Sequence, residues 1–123
     1  VGLWPMMIGA LIFRNVPRKK AMEMILLGER IAAADALAMG LVTRVVPAKE
    51  LDAEVERIVE ALAAKSPIGI RIGKQAFHEA EGMSLNEALD FLSGKLLEVA
   101  STEDAREGVT AFIEKRPPVF RGR

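Results

Sequence analysis

The sequence predicts a mainly α-helical chain of about six helices and one short strand. Three observations carry that expectation. Glycines and prolines at Pro17, Gly28, Gly40, Pro47, Pro67, Gly82 and Pro117-Pro118 divide the chain into segments of helical length. Within those segments apolar residues recur at 3.6-residue spacing, the pattern of a helix with one buried face. Ser84 and Glu87 form a capping box, in which two side chains satisfy two backbone donors that a helix start leaves unpaired.

Each element follows from local chemistry. Residues 1–13, VGLWPMMIGALIF, carry no charge and predict a buried segment. Pro17 suits a first helical turn, and RKKAMEMILL follows, with Gly28 placed to cap its end. Ala21, Met24, Ile25 and Gly28 share one face of that helix. AAADALAM predicts a short second helix ending at Gly40. LVTRVV, between Gly40 and Pro47, is rich in β-branched residues and bounded by breakers, which predicts the strand. Residues 49–65 place Leu51, Val55, Ile58, Val59 and Leu62 on one helical face. A helix from Pro67 should end near Gly82. The next, opened by Ser84, carries Leu85, Leu89, Leu92, Leu96 and Val99 on its expected buried side. The last starts at Ser101 or Thr102, where Glu103 and Asp104 complement the positive helix end, and stops near Lys115 before the proline pair.

Composition narrows the function classes. The chain has 123 residues, 50% hydrophobic and 28% charged, which is a foldable rather than a disordered composition. Its 17 basic residues balance 17 acidic ones, so no net field draws it to nucleic acid or to an anionic membrane. With no cysteine, disulfide scaffolds, zinc ribbons and thiol catalysis are excluded together, and a reducing compartment, the cytoplasm, is the expectation. The uncharged opening falls short of the roughly 20 apolar residues that a membrane span requires. It also lacks the basic flank and cleavage site of a signal peptide. The absence of an initiator Met beside that apolar opening suggests a chain cut from a longer one.

Catalytic constellations are sparse. His78 is the one histidine and has no partner at metal-ligand spacing, so no metal site is expected and a solvated role suits it best. No glycine-rich phosphate loop follows a strand. Serines 66, 84, 93 and 101 lack a histidine in suitable sequence context, and Ser84 and Ser101 are accounted for as caps. Glu50, Asp52, Glu54, Glu56 and Glu60 lie on a polar helix face, whereas Glu23 is interleaved with apolar residues. Arg18-Lys19-Lys20 puts cations in a first helical turn, against the dipole. Phe112 and Lys115 lie three apart on the last helix, where an aromatic plane beside an ammonium can stack a purine and meet a phosphate. The plain alternative is a core phenylalanine beside a surface lysine.

Two ordered motifs resemble those of the enoyl-CoA hydratase/isomerase (crotonase) superfamily. AMEMILLGERIAAADALAMGLVTRVVPAKEL, residues 21–51, is similar to the run in which a helix leads through a G-L-V stretch into V-V-p. TEDAREGVTAFIEKRPPVFRG, residues 102–122, resembles the family's closing T-x-D-x-x-E-G-x-x-A-F-x-E-K-R-x-P-x-F. GLWP near the start is similar to the family's G-x-x-P, although Met6-Met7-Ile8-Gly9-Ala10-Leu11 replaces the usual paired-glycine continuation. The resemblance covers the whole chain but only the C-terminal half of a typical member.

It implies the C-terminal helical part of a crotonase-like α/β spiral fold. Residues 1–47 would form the end of the core and the acyl-pocket segment. Residues 48–123 would form the helical region for oligomerisation and CoA contact. Family chemistry stabilises a thioester enolate in an oxyanion hole of two backbone amides, with glutamates moving protons. The resemblance places both the oxyanion hole and the catalytic acids upstream of Val1, so no catalytic residue is expected within the chain. Phe112 and Lys115 match the residues that approach the adenine and phosphates of CoA. Leu3, Trp4 and Met7 are the acyl-pocket candidates. Hydration of a trans-2-enoyl-CoA is the leading reaction, with isomerisation and hydrolysis also open. No cofactor is expected beyond the CoA of the substrate, and the partners implied are that substrate and further copies in a trimer or hexamer. A non-catalytic helical oligomerisation module is the alternative.

Overall fold

The computed structural model of the chain describes residues 2–123. It divides into two compact units, residues 1–52 and 53–123. The first holds α1 (Met6–Asn15), α2 (Arg18–Leu27), α3 (Ala33–Ala38) and a single 3-10 turn (Ala48–Glu50). The second is built from α4 (Leu51–Ala63, which begins at the boundary), α5 (Pro67–Ala80), α6 (Leu85–Ala100) and α7 (Glu103–Glu114).

In the first unit α1 packs against α2, and the buried positions of the two helices are small, Gly9 and Ala21, the latter fully buried. Small residues let two helices approach closely without a cavity. Val16, between the helices, is also buried. Two of the three cations at the start of α2, Arg18 and Lys20, have local partners that offset the adverse dipole. The Arg18 guanidinium lies 5.6 Å from the Phe13 ring centroid, and Lys20 Nζ donates to Glu23 at 2.9 Å. That pairing uses Glu23 as a surface partner rather than as a buried acid. Gly28 ends α2 in the left-handed conformation, φ 63°, as the breaker pattern predicts. At the end of α3, Gly40 donates to Leu37 O and Leu41 to Ala36 O, the paired bonds of a Schellman turn. With φ 79°, Gly40 supplies the conformation that this turn demands.

Two expectations for this unit are overturned. Residues 41–46 form no strand, and none is present among the described residues. β-Branched residues favour extended backbone, but a strand exists only when a neighbour completes its hydrogen-bond ladder, and no described segment does so. The uncharged opening is not buried: α1 is a seventh helix, and Leu3, Met6, Met7 and Leu11 stand exposed. A helix apolar on every side can cover only the stripe that meets its neighbour, here α2.

In the second unit α5 packs along α6, and α7 packs across both. The core is narrow, with Ala76 on α5 and Ala111 on α7 almost wholly buried. Ser66 caps α5 by accepting from Gly69 N at 3.1 Å. The capping box at Ser84 and Glu87 forms as expected. It is Thr102, not Ser101, that caps α7, accepting from Ala105 N at 3.1 Å, while Ser101 closes α6. The apolar faces expected to be buried are only partly so. On α4, Ile58 is half-buried while Leu51, Val55, Val59 and Leu62 are exposed. On α6, Leu92 and Val99 are half-buried and Leu85, Leu89 and Leu96 exposed. The 3.6-residue period marks the apolar side of a helix, yet burial needs a partner, and α4 is not packed along any other helix of its unit. No helix among the described residues is long and apolar enough to cross a membrane.

Candidate functional site

The site worth building is the end of α7 and the tail that follows it. Ala111 faces the core, so Val109, Phe112 and Ile113 are turned outward, and Phe112 is 84% exposed. The helix stops at Glu114. Lys115 then adopts φ 54°, ψ 38°, the one non-glycine residue among the described residues with positive φ. Its N–H donates to Phe112 O, and the Arg116 N–H donates to Ala111 O. These are the same paired bonds that close α3, where glycine stands. Lys115 therefore lies past the last helical residue, in a left-handed turn bonded to Phe112. The expectation that the pair shares a helix face by simple three-residue spacing does not describe it.

Beyond the turn the chain doubles back along α7. Arg116 forks onto Glu107, Nη1 to Oε1 at 2.6 Å and Nη2 to Oε2 at 2.9 Å, while its Nε donates to Glu114 at 2.6 Å. The Val119 amide donates to Glu107 Oε1 at 2.8 Å. The Phe120 ring lies over the helix at Gly108, where a Cβ would meet it in ordinary van der Waals contact at 3.6 Å. At the helix start Asp104, 2% exposed, accepts from the Arg121 and Gly122 amides at 2.7 and 3.0 Å. It also accepts from Ser66 Oγ at 2.7 Å, and its own amide donates to Arg123 O at 2.9 Å. Two carboxylates on one face of α7 thus pin seven residues of tail.

The electrostatics agree. Burial pushes the Asp104 carboxyl up, but the amides of the tail and the Ser66 hydroxyl together hold it below its ordinary value. The Arg116 guanidinium and the Val119 amide lower Glu107 from 4.5 to about 2. A carboxyl depressed by folding stabilises the fold fully above its ordinary pKa, and loses that contribution as pH falls through the folded value. The Glu107 clamp should therefore hold at neutral pH and release between about 4.5 and about 2. In an NMR titration the Val119 amide should shift with a midpoint near the lower figure. A midpoint near 4.5 would contradict the clamp.

Sequence reasoning read Asp104 as a dipole-complementing first-turn acid and singled out neither Glu107 nor Arg116. The signal was present, since Asp104 and Glu107 lie three apart on one helix face and Arg116 stands immediately before the proline pair. What pattern alone could not show is that the tail folds back onto them. The acyl-pocket candidates Leu3, Trp4 and Met7 lie in the other unit, all exposed. His78 is exposed on α5, lining an open groove of about 650 Å³ with Ile70, Phe77 and the glycines Gly69 and Gly73.

Residues 1–123 match the family model described as enoyl-CoA hydratase/isomerase. The chain belongs to that family. Among its relatives in the enoyl-CoA hydratase/isomerase family is the mitochondrial enoyl-CoA hydratase domain-containing protein 3 of Xenopus laevis. It is 39% identical over 120 residues, which are 98% of this chain and 41% of that protein. The fold is similar to the crystal structure of an enoyl-CoA hydratase from Mycobacterium smegmatis, with a TM-score of 0.92 and 37% identity. That match covers 97% of this chain and 46% of the other. The enoyl-CoA hydratase of Bacillus anthracis matches with a TM-score of 0.91 and 32% identity, over 99% of this chain and 48% of its own. The chain thus spans about two-fifths to a half of the relatives it matches.

Proposed function

We propose that this chain is the CoA-contacting and subunit-packing portion of an enzyme acting on acyl-CoA thioesters through an oxyanion-stabilised enolate. The reaction proposed is hydration of a trans-2-enoyl-CoA. The observation that carries the reading is Phe112 at the end of α7, 84% exposed and bonded through its carbonyl to the Lys115 turn. An aromatic ring left in water serves no packing purpose in this chain, and it offers a flat surface on which an adenine can stack. An ammonium one turn away suits the CoA phosphates. No cofactor is needed beyond the CoA of the substrate.

Catalysis would come from the half of the family fold that this chain does not span, where the oxyanion hole and the proton-moving glutamates are proposed to lie. The chain alone would then be inactive. Leu3, Trp4 and Met7 would line or support the acyl pocket once that half covers them. Trimers or hexamers would cover the exposed apolar residues of α4 and α6. The compartment proposed is the cytoplasm, in keeping with a cysteine-free chain, although the Xenopus relative is named mitochondrial.

The test joins the chain to the remaining half of the Mycobacterium smegmatis hydratase fold and follows loss of the conjugated thioester of a short trans-2-enoyl-CoA. Turnover by the joined protein, and none by the chain alone, is the expected result. A correctly folded joined protein without turnover would reject the hydratase assignment. The exposed apolar faces of α4 and α6 favour a second reading, a helical association module without catalysis. Such a module would have no affinity for CoA.

A further inference from the structure

The turn at Lys115 is closed by two backbone bonds and braced by one carboxylate. The left-handed conformation is disfavoured for any residue with a Cβ, and every other positive-φ position among the described residues is glycine. Something must hold a lysine where glycine would sit without strain. The neighbouring bonds show what does. Arg116 closes the turn through its amide to Ala111 O, and its guanidinium engages Glu107 through both Nη atoms. Glu107 Oε1 also accepts the Val119 amide. The same carboxylate therefore grips the chain one residue and four residues beyond Lys115, with the stiff Pro117-Pro118 pair between. Rotating Lys115 toward ordinary backbone angles would break both grips. None of these bonds uses the Lys115 ammonium, which leaves the turn free to present it.

We infer that Glu107 is a positioning residue, whose clamp on Arg116 and Val119 holds Lys115 in the left-handed turn that aims its ammonium at the CoA phosphates. The aim at CoA rests on the function proposed above; the clamp on the turn stands on the geometry alone. A fork of two short, charge-assisted bonds suits this task, because it fixes direction as well as distance. Glutamine at the same position would keep the length but could not accept both guanidinium bonds, since one of its terminal atoms is a donor.

The experiment compares wild type, Glu107→Gln, Lys115→Ala and the double variant, with two readouts. The first is the intraresidue HN–Hα NOE of Lys115, which is stronger at positive φ than at negative φ and is read without any ligand. The second is CoA affinity by calorimetry. Arg116→Lys, which keeps the charge but cannot fork, repeats the test should Glu107→Gln fail to fold. The expected result is a weaker Lys115 NOE, the mark of negative φ, in Glu107→Gln. CoA affinity should fall roughly three- to tenfold, with no further loss when Glu107→Gln is added to Lys115→Ala. An unchanged NOE overturns the clamp, and additive losses of affinity overturn its action through Lys115. A weakened NOE in a protein whose wild type ignores CoA upholds the clamp and rejects the CoA reading.

Discussion

Asp104→Ala should lower the melting temperature of the chain by roughly 10 °C and set the tail loose. The side chain is 2% exposed, and its two oxygens accept from Ser66 Oγ and from the amides of Arg121 and Gly122. Removing it leaves three part-buried donors without their acceptor, which costs more than the bonds themselves were worth. The loss also spreads, because Ser66 caps α5 while bonded to Asp104. One carboxylate therefore ties the start of α5, the start of α7 and the C-terminal tail. Circular dichroism at rising temperature should show the lower midpoint, and the Arg121 and Gly122 amides should lose their protection from hydrogen exchange. Asp104→Asn should fall between, since an amide keeps one acceptor and turns a donor toward the rest. A melting temperature unchanged in Asp104→Ala would show that the tail is not held there.

Phe112→Ala and Lys115→Ala should do the opposite, leaving stability almost untouched while CoA affinity falls. Phe112 fills no cavity, so its truncation should stay within about 0.5 kcal/mol of wild-type stability. Losing a base-stacking ring should cost about 1–3 kcal/mol of binding, roughly a factor of 5 to 150. Lys115→Gly separates the two contributions most cleanly. Glycine accepts φ 54° without strain, so the variant should be as stable as wild type or up to about 1 kcal/mol more so, yet bind CoA as weakly as Lys115→Ala. The proposed role of the side chain would account for a lysine at a position that glycine would stabilise.

Helices α2 to α7 were legible because they are punctuated by local chemistry, whereas α1 was read only as an apolar segment. Gly28, Gly40 and Gly82 sit at helix ends with positive φ, and Ser84 and Thr102 cap helix starts. Those signals act within four residues and need no knowledge of the fold. The strand failed for the complementary reason: the β-branched run at residues 41–46 states a preference, but a strand is a relation between two segments. Burial failed in the same way at Leu51, Val55, Val59 and Leu62, whose period is correct but along which no helix of the unit packs. At the proposed site, Phe112 and Lys115 were singled out by their residue types and by the motif resemblance. The turn that joins them was hidden, since nothing in a lysine signals left-handed backbone. Asp104 and Glu107 were visible as acids but not as anchors, because the tail they hold lies 9 to 18 residues further on.

The central claim is that CoA meets this chain at the end of α7. The most direct measurement is an NMR titration of the isotope-labelled chain with CoA, reading every backbone amide. The expected result is saturable shifts largest from Phe112 through Arg116, with saturation moved to higher CoA concentration in Phe112→Ala and Lys115→Ala. Shifts that centre on the α5 groove around Gly69 and Phe77 instead, or no shifts at all, would contradict it.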